Sequence, residues 1–399
     1  MKLAYFVLPH MGGTYTVFRH LRAGLAAHDI EVEWLGVCGT DFVLPPDMAE
    51  ESAFGALIRL EASLPQAAAA RRVAGVIAER GYDGVIINVL GDRMQTNIAR
   101  YLPADVMRIM VVHNITPGTY AAAASIRDYV HATVCVAERA RHDLVERYGF
   151  SPERTTTIAN AVDVAAFTEG SRRRTTPKSD LRVLFAGRIE DASKGVLWLP
   201  DIFDGLPDAI ALTVVGDGPD SARLARRFKA SGSRARFAGP VPAATIPAVM
   251  VEHDVLIMPS RYEGLPLTLI EGMAAGCVPV ISDIRGVTDT IVDDGTNGLL
   301  FPVGHYSAAA AALLRLHEDR ALLETMSAAA RRRVADHYSV RQMAMRYRDV
   351  IAAVRAQPAP ILPVLDFDRW SMPRGLRSGF RTFLPLPLKN WLRVMRERI

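Results

Sequence analysis

The sequence predicts an α/β protein made of two doubly wound parallel sheets, on three observations. Short apolar runs alternate with helical patterns along most of the 399 residues. The runs are apolar throughout rather than every second residue, the pattern of strands covered on both faces. The series breaks once, at a polar stretch without periodicity, and then begins again. At roughly 100–200 residues per domain, the length also suggests two domains.

The first series reads as strands at Leu3 to Leu8, Val32 to Val37, Gly84 to Val89, Val106 to Val112 and Thr133 to Val136. Helical patterns lie between them at Val17 to Ala27 and at the alanine-rich stretch Ala67 to Arg80. These place an N-terminal Rossmann-like domain at 1–168. A linker follows at 169–180, where Glu169, Arg172-Arg173-Arg174 and Pro177 offer no apolar stripe. The second series occupies 181–338, with strands at Leu181 to Ala186, Ala211 to Val215, Val255 to Met258 and Val278 to Ile281. Helices fill Ser307 to Ala356, and the last of them, at 339–357, is expected to return toward the first domain. Residues 358–399 form a basic, aromatic tail. Ligands of open α/β sheets bind beyond the carboxyl ends of the strands, so a central cleft faced by both domains is expected to hold the site.

Bulk properties narrow the function. The net charge is +4, but residues Pro358 to Ile399 hold eight Lys/Arg against three Asp/Glu, which leaves the rest of the chain at −1. A nucleic-acid-binding fold would need a basic face on its body, so no nucleic-acid partner is expected. Cys38, Cys135 and Cys277 are odd in number and scattered, which reads as reduced thiols in a cytoplasmic setting and not as a metal or disulfide framework. Met1 to Leu8 reads as a buried first strand rather than a signal peptide. No stretch reaches the roughly 20 apolar residues of a membrane span.

The second series carries the chemistry. Its strands run into Gly187-Arg188, followed by Lys194-Gly195, into Gly216-Asp217-Gly218-Pro219, into Gly239-Pro240, and into Pro259-Ser260-Arg261-Tyr262-Glu263-Gly264-Leu265-Pro266. Glycines there let backbone approach a ligand. Glu263 falls in a strand-to-helix loop and Glu271 about one turn into the helix that begins near Leu267. The amides of Leu267 and Thr268 would open that helix, where the dipole favours phosphate. One short segment thus offers a carboxylate to a sugar, amides to phosphate and a second carboxylate to paired ribose hydroxyls.

The run from Met258 to Gly276 resembles the signature of the family-4 (group 1) retaining glycosyltransferases of the GT-B fold. The Arg188 and Lys194 pair, the Val215 to Pro219 turn, Asp293-Asp294-Gly295-Thr296-Asn297-Gly298 and Asn160-Ala161-Val162-Asp163 with Phe167 are similar to further motifs of that family. The resemblance extends over roughly residues 1–355. It implies that Arg188 and Lys194 hold a diphosphate, that Glu263 touches the donor sugar and that Glu271 binds ribose. It places Gly187, Gly264, Leu265, Leu267 and Thr268 around the donor. The gap from Arg188 to Lys194 is one residue longer than in many members, and the loop Glu190 to Ser193 takes it up. In the first domain, His10-Met11-Gly12-Gly13 resembles the family's first glycine loop, so Gly12 and Gly13 join the donor site. His113, after the run Met110 to Val112, resembles its strand-end histidine near the donor sugar.

The resemblance therefore implies a metal-independent hexosyltransferase that takes a nucleotide diphosphate-sugar as substrate, needs no cofactor, and transfers to a glycan or lipid-linked acceptor in cell-surface polysaccharide or glycolipid synthesis. A nucleotide-sugar epimerase on the same fold and a non-catalytic glycan-binding paralogue are the alternatives. Asp92-Arg93 offers either an acceptor contact or a surface ion pair. Asp366-Phe367-Asp368 imitates a metal-binding D-x-D but lies in the tail, and the arginine runs at 172–174 and 331–333 read as solvated faces. In the tail, Leu388, Trp391, Leu392, Met395 and Ile399 fall on one helical stripe, with Lys389, Arg393, Arg396 and Arg398 mostly off it. The stripe either lies in an anionic membrane surface, making the protein peripheral on the inner face, or packs back on the first domain.

Overall fold

A computed structural model describes residues 1–10, 12–89, 91–171, 180–233, 235–377 and 385–398. The first series forms β1 (Lys2–Tyr5), β2 (Glu31–Gly39), β3 (Gly55–Leu60), β4 (Gly84–Asn88), β5 (Met107–Val112), β6 (Ala132–Cys135) and β7 (Thr155–Thr157). They make a seven-stranded sheet in the order β3-β2-β1-β4-β5-β6-β7, and every pairing is parallel. The second series forms β8 (Leu181–Ala186), β9 (Ile210–Val215), β10 (Ala235–Gly239), β11 (Val255–Met258), β12 (Val278–Asp283) and β13 (Leu299–Pro302). This sheet is also parallel, in the order β10-β9-β8-β11-β12-β13.

Both sheets reverse their winding once, between β1 and β4 and between β8 and β11. At such a point the connections leave on opposite faces, which opens a crevice at the carboxyl edge. The strands flanking it are buried on both sides: Leu3, Ala4, Tyr5, Ile86 and Ile87 in one sheet, Val183, Leu184, Leu256 and Ile257 in the other, all at 0% exposure. Each such Leu or Ile contributes roughly 1.5–3 kcal/mol by leaving water, so the strand ends are rigid supports for the loops beyond them.

The chain divides into two compact units, one of residues 1–161 with 340–377, the other of 162–339 with the helix Leu386–Arg398. The helix Val164–Ser171 belongs to the second unit, packing on the helices Ile246–Val251 and Leu267–Ala275 with Phe167 buried. Of the expected linker, residues 172–179, with Arg172, Arg173 and Arg174, lie outside the described residues. The helix Val340–Ala356 is part of the first unit and buries Met343, Ala344, Tyr347 and Ile351, packing along the helix Gly13–Ala26.

The tail is not one element. Residues 358–377 lie on the first unit: Tyr101 stacks with Phe367 and meets Trp370 at a tilt, Leu365 N donates to Arg100 O at 2.8 Å, and Asp368 pairs with Arg71. Asp366 accepts from the Asp368 amide and so caps a short turn. The helix Leu386–Arg398 leaves Leu388, Trp391, Leu392 and Met395 exposed. Arg331 and Arg333 are not merely solvated. They donate to the Ala275 and Thr290 carbonyls at 3.1 and 2.9 Å, tying the helix Arg320–His337 to the ends of neighbouring segments. Asp92 is the N-cap of the helix Arg93–Asn97 and accepts from the Gln95 amide at 2.8 Å.

Candidate active site

Three segments meet at the switch point of the second sheet. The first leaves β8 as Gly187-Arg188 and turns into the short helix Asp191–Lys194. The second leaves β9 as Gly216-Asp217-Gly218. The third leaves β11 as Pro259 to Pro266 and enters the helix Leu267–Ala275. Their close approach depends on glycine. Gly216 has φ of 128°, and a Cβ there would stand 2.0 Å from the Gly187 carbonyl oxygen. Gly195 has φ of 60°, and a Cβ on it would stand 2.0 Å from the Pro259 carbonyl oxygen. A side chain at either position would push apart the loops that hold Arg188, Lys194 and Glu263.

Lys194 and Glu263, 69 residues apart, meet directly: Nζ donates to Oε1 at 2.7 Å. The same oxygen accepts from Ser260 Oγ at 2.7 Å. Glu263 is buried, and its Oε2 has no hydrogen bond among the described residues. That carboxylate is held by one edge and retains acceptor capacity on the other.

A buried ion pair fixes both loops. Arg261 Nη2 donates to both carboxylate oxygens of Asp191, at 3.1 and 2.9 Å, and its Nε donates to the Asp191 carbonyl at 2.8 Å. The guanidinium lies 3.7 Å above the Trp198 ring, and the Arg261 amide donates to Ser193 O at 2.8 Å. Asp191 Oδ1 also accepts from the Leu197 amide at 3.1 Å. Arg261 thus ties the segment carrying Glu263 to the segment carrying Lys194. A flat cation that uses Nη2 on the carboxylate and Nε on the carbonyl while stacked on a ring is arginine's geometry and not lysine's.

Arg188 stands apart. Its side chain is 68% exposed, and its Nε lies 3.7 Å from Glu190 Oε1. The helix Leu267–Ala275 starts at Pro266 with no side-chain cap, so the amides of Leu267 and Thr268 open the helix without an intrahelical acceptor. Gly264 and Leu265 are buried under this turn. One turn on, Glu271 is half-buried, and desolvation pushes its carboxyl up to about 7. It makes no hydrogen bond or ion pair among the described residues, although the helix N-terminus alone would favour its ionised form.

At the switch point of the first sheet, Gly12 caps the helix Gly13–Ala26 without a side-chain bond. His113 follows β5, and its Nε2 lies 2.7 Å from Asn88 Oδ1. Burial pushes the ring down to about 4, so it is neutral near pH 7. Asn88, the last residue of β4, donates through Nδ2 to Phe6 O at 2.8 Å.

The structure therefore joins Lys194 with Glu263 and puts the amides of Leu267 and Thr268 at the opening of the same segment that carries Glu271. Sequence reasoning missed Asn88, Asp191, Trp198 and Ser260. Arg261 lies within the Met258 to Gly276 run, whose resemblance implies no role for it. The Asp191–Arg261 contact spans 70 residues and has no local signal; only the strand-end position of Asn88 could have drawn attention to it.

Two parallel-sheet Rossmann-like units, with glycine-bordered loops at the switch point of each sheet, define the GT-B class. Residues 180–319 match the family described as Glycosyl transferases group 1, and residues 11–166 match Glycosyltransferase Family 4. The chain belongs to this family of glycosyltransferases. It is 28% identical over 239 residues to a glycogen synthase of Mycobacterium tuberculosis, covering 56% of this chain and 55% of that one. It is 32% identical over 206 residues to the phosphatidyl-myo-inositol mannosyltransferase of Mycolicibacterium smegmatis, covering 50% and 52%. The chain thus spans about half the length of these curated relatives. Among solved structures, Anabaena HepE in complex with UDP superposes with a TM-score of 0.73 at 17% identity, over 88% of this chain and 100% of that one, a likeness of fold.

Proposed function

We propose that this protein is a retaining hexosyltransferase that moves a sugar from a nucleoside diphosphate-sugar to a glycan or lipid-linked acceptor. The observation that carries the reading is the Lys194–Glu263 pair at 2.7 Å, which holds a cation and a half-satisfied carboxylate beside an uncapped helix start. A departing diphosphate needs positive charge where its own charge develops. Lys194, Arg188 and the amides of Leu267 and Thr268 supply it without a metal. Glu263 Oε2 accepts from a sugar hydroxyl, and Glu271 accepts from the ribose. By the family resemblance, Gly12, Gly13 and His113, at the carboxyl edge of the first sheet, are further candidate ligand contacts.

The leaving group is already good, so the two glutamates are not a glycosidase acid–base pair. In this account the acceptor attacks from the face the diphosphate leaves, and a donor phosphate oxygen takes the acceptor's proton. The C1–O bond to diphosphate breaks, the bond to the acceptor oxygen forms, and configuration is retained. Relatives named for phosphatidyl-myo-inositol mannosylation and glycogen synthesis support a lipid-linked or glycan acceptor.

No helix of the described residues is long and apolar enough to cross a membrane. The exposed Leu388, Trp391, Leu392 and Met395, on a segment rich in Lys and Arg, support peripheral attachment to the anionic cytoplasmic face instead.

The test is nucleoside diphosphate release from UDP-, GDP- and ADP-sugars, with and without acceptor and with EDTA. Release that rises with acceptor and survives EDTA supports the proposal. Complete loss in EDTA, restored by manganese, contradicts metal-independent transfer.

A further inference from the structure

Four neighbouring strands of the first sheet, β1, β4, β5 and β6, start side by side, and their amino ends border a cavity of about 480 Å³. This is the edge of the sheet opposite the one where ligands of doubly wound folds bind. His131, just before β6, lines the cavity and is only 6% exposed. The Arg108 amide donates to His131 Nδ1 at 3.0 Å. A backbone N–H can only donate, so Nδ1 is the lone-pair nitrogen, and Nε2 carries the proton of the neutral ring. Burial, with the charges of Arg108 and Arg154, pushes this ring down to about 4, so it is neutral near pH 7. Nε2 has no hydrogen bond among the described residues, and an N–H withdrawn from water without an acceptor is costly. Strand pairing thus fixes an oriented donor on the cavity wall. The other polar groups lie nearer solvent. Asp83 accepts from the Lys2 amide through Oδ2 at 2.6 Å, and its Oδ1 has no hydrogen bond among the described residues. Asp105 and Arg355 are exposed, and neither forms an ion pair among the described residues. Met107 and Val354, both buried, give the lining an apolar surface.

We propose that this cavity binds a neutral sugar residue, with His131 Nε2–H as its fixed donor and Asp83 and Asp105 as its acceptors. The size lies within the roughly 300–1,000 Å³ of small-molecule sites. The surrounding charges disfavour an ion of either sign. An anion would meet the carboxylates of Asp83 and Asp105; a cation would meet Arg355, with the guanidiniums of Arg108 and Arg154 behind His131. A polyhydroxylated ring satisfies every group at once. Its hydroxyls donate to the two carboxylates, its oxygens accept from His131 and Arg355, and its C–H face covers Met107 and Val354. No step of this argument uses the loops of the second unit, so the site stands or falls apart from the transferase reading. A sugar held there would anchor a glycan to the protein without filling the transfer site.

The test is saturation-transfer NMR of the full-length protein with glucose, galactose, mannose and their disaccharides, in the presence of excess UDP, GDP and ADP. At least one sugar should bind, and in histidine-labelled protein it should shift the Nε2 resonance of a His131 ring that is in the Nε2–H form beforehand. Asp105→Ala and Arg355→Ala alter exposed side chains and should leave thermal unfolding unchanged. Each should weaken the sugar about tenfold, the worth of one hydrogen bond to a charged group. Inorganic phosphate and methylammonium should not displace it. Failure of every sugar to bind overturns the site, as does an Nδ1–H tautomer in the wild type. Equal affinity in both variants places the sugar elsewhere and also overturns it. Displacement by phosphate or methylammonium would make the cavity an ion site and overturn the assigned ligand. All these readouts are of binding, so absence of glycosyl transfer leaves them interpretable.

Discussion

Replacing Glu271 by Gln should make the protein more stable at alkaline pH and worse at binding nucleotide. In the folded state the carboxyl is pushed from 4.5 up to about 7 by burial, with no partner to hold its ionised form. The folded state therefore binds this proton more tightly than the unfolded chain. Below about 4.5 the group is neutral in both states and destabilises nothing. Stability is lost as pH rises from there through 7, because the folded state must then hold a desolvated charge. At roughly 1.4 kcal/mol per unit the shift corresponds to about 3 kcal/mol at pH 8, as an upper figure. Gln has the same shape and no charge. Urea unfolding of wild type and Glu271→Gln should give near-equal stabilities at pH 5 and a variant about 2–3 kcal/mol more stable at pH 8. Titration with whichever of UDP, GDP or ADP the wild type binds should show the converse, a loss of affinity in the variant, since ribose hydroxyls bond best to a carboxylate. Wild-type binding near pH 7 should also release protons. The same stability difference at both pH values would refute the burial argument, and equal affinities of wild type and variant for that nucleotide would refute the ribose contact. A residue whose removal stabilises the fold and weakens ligand binding is kept for its ligand.

Arg188→Ala should leave folding intact, because the side chain is largely exposed, yet lower turnover about 10²–10³-fold by removing a donor to the leaving diphosphate. Near-full turnover would remove Arg188 from the site. Arg261→Met leaves Asp191 buried without its cation and should cost about 3–5 kcal/mol in unfolding experiments. The conservative Arg261→Lys should fold better yet raise the KM for donor more than it lowers kcat, because it loses the Nε bond to the Asp191 carbonyl and the stack on Trp198 that help align Lys194 with Glu263; unchanged donor KM would contradict the alignment. Deleting residues 385–399 should abolish co-sedimentation with vesicles containing phosphatidylglycerol at low salt while nucleotide binding persists. Equal sedimentation of the truncated protein would show that the tail is not the anchor.

Much of the fold was legible because its strands are short, apolar and buried on both faces. Leu181–Ala186 and Val255–Met258 lie where the sequence places them, and the helix after them begins at Leu267. Other strands were not legible for physical reasons. Thr155–Thr157 is a three-residue edge strand without an apolar side chain, and Gly55–Leu60 is only partly buried behind a 3-10 segment. Leu299–Pro302 hides behind the Asp293 to Gly298 turn. At the site, the residues with local motifs could be read, but the partners that orient them could not. Asp191 and Arg261, like Asn88 and His113, are neighbours only after the sheet is assembled. The tail showed its stripe but not its destination: amphipathic spacing alone does not distinguish a helix packed on protein from one that leaves Trp391 exposed.

The central claim is glycosyl transfer with retention from a nucleotide sugar held by the loops of the second unit. Proton NMR of the anomeric centre during turnover, with the α-linked donor identified by nucleotide release, tests it most directly. The first product formed should carry the α-linkage, and Glu263→Ala should abolish it while UDP, GDP or ADP still binds. A β-linked first product, or an unimpaired Glu263→Ala enzyme, would contradict it.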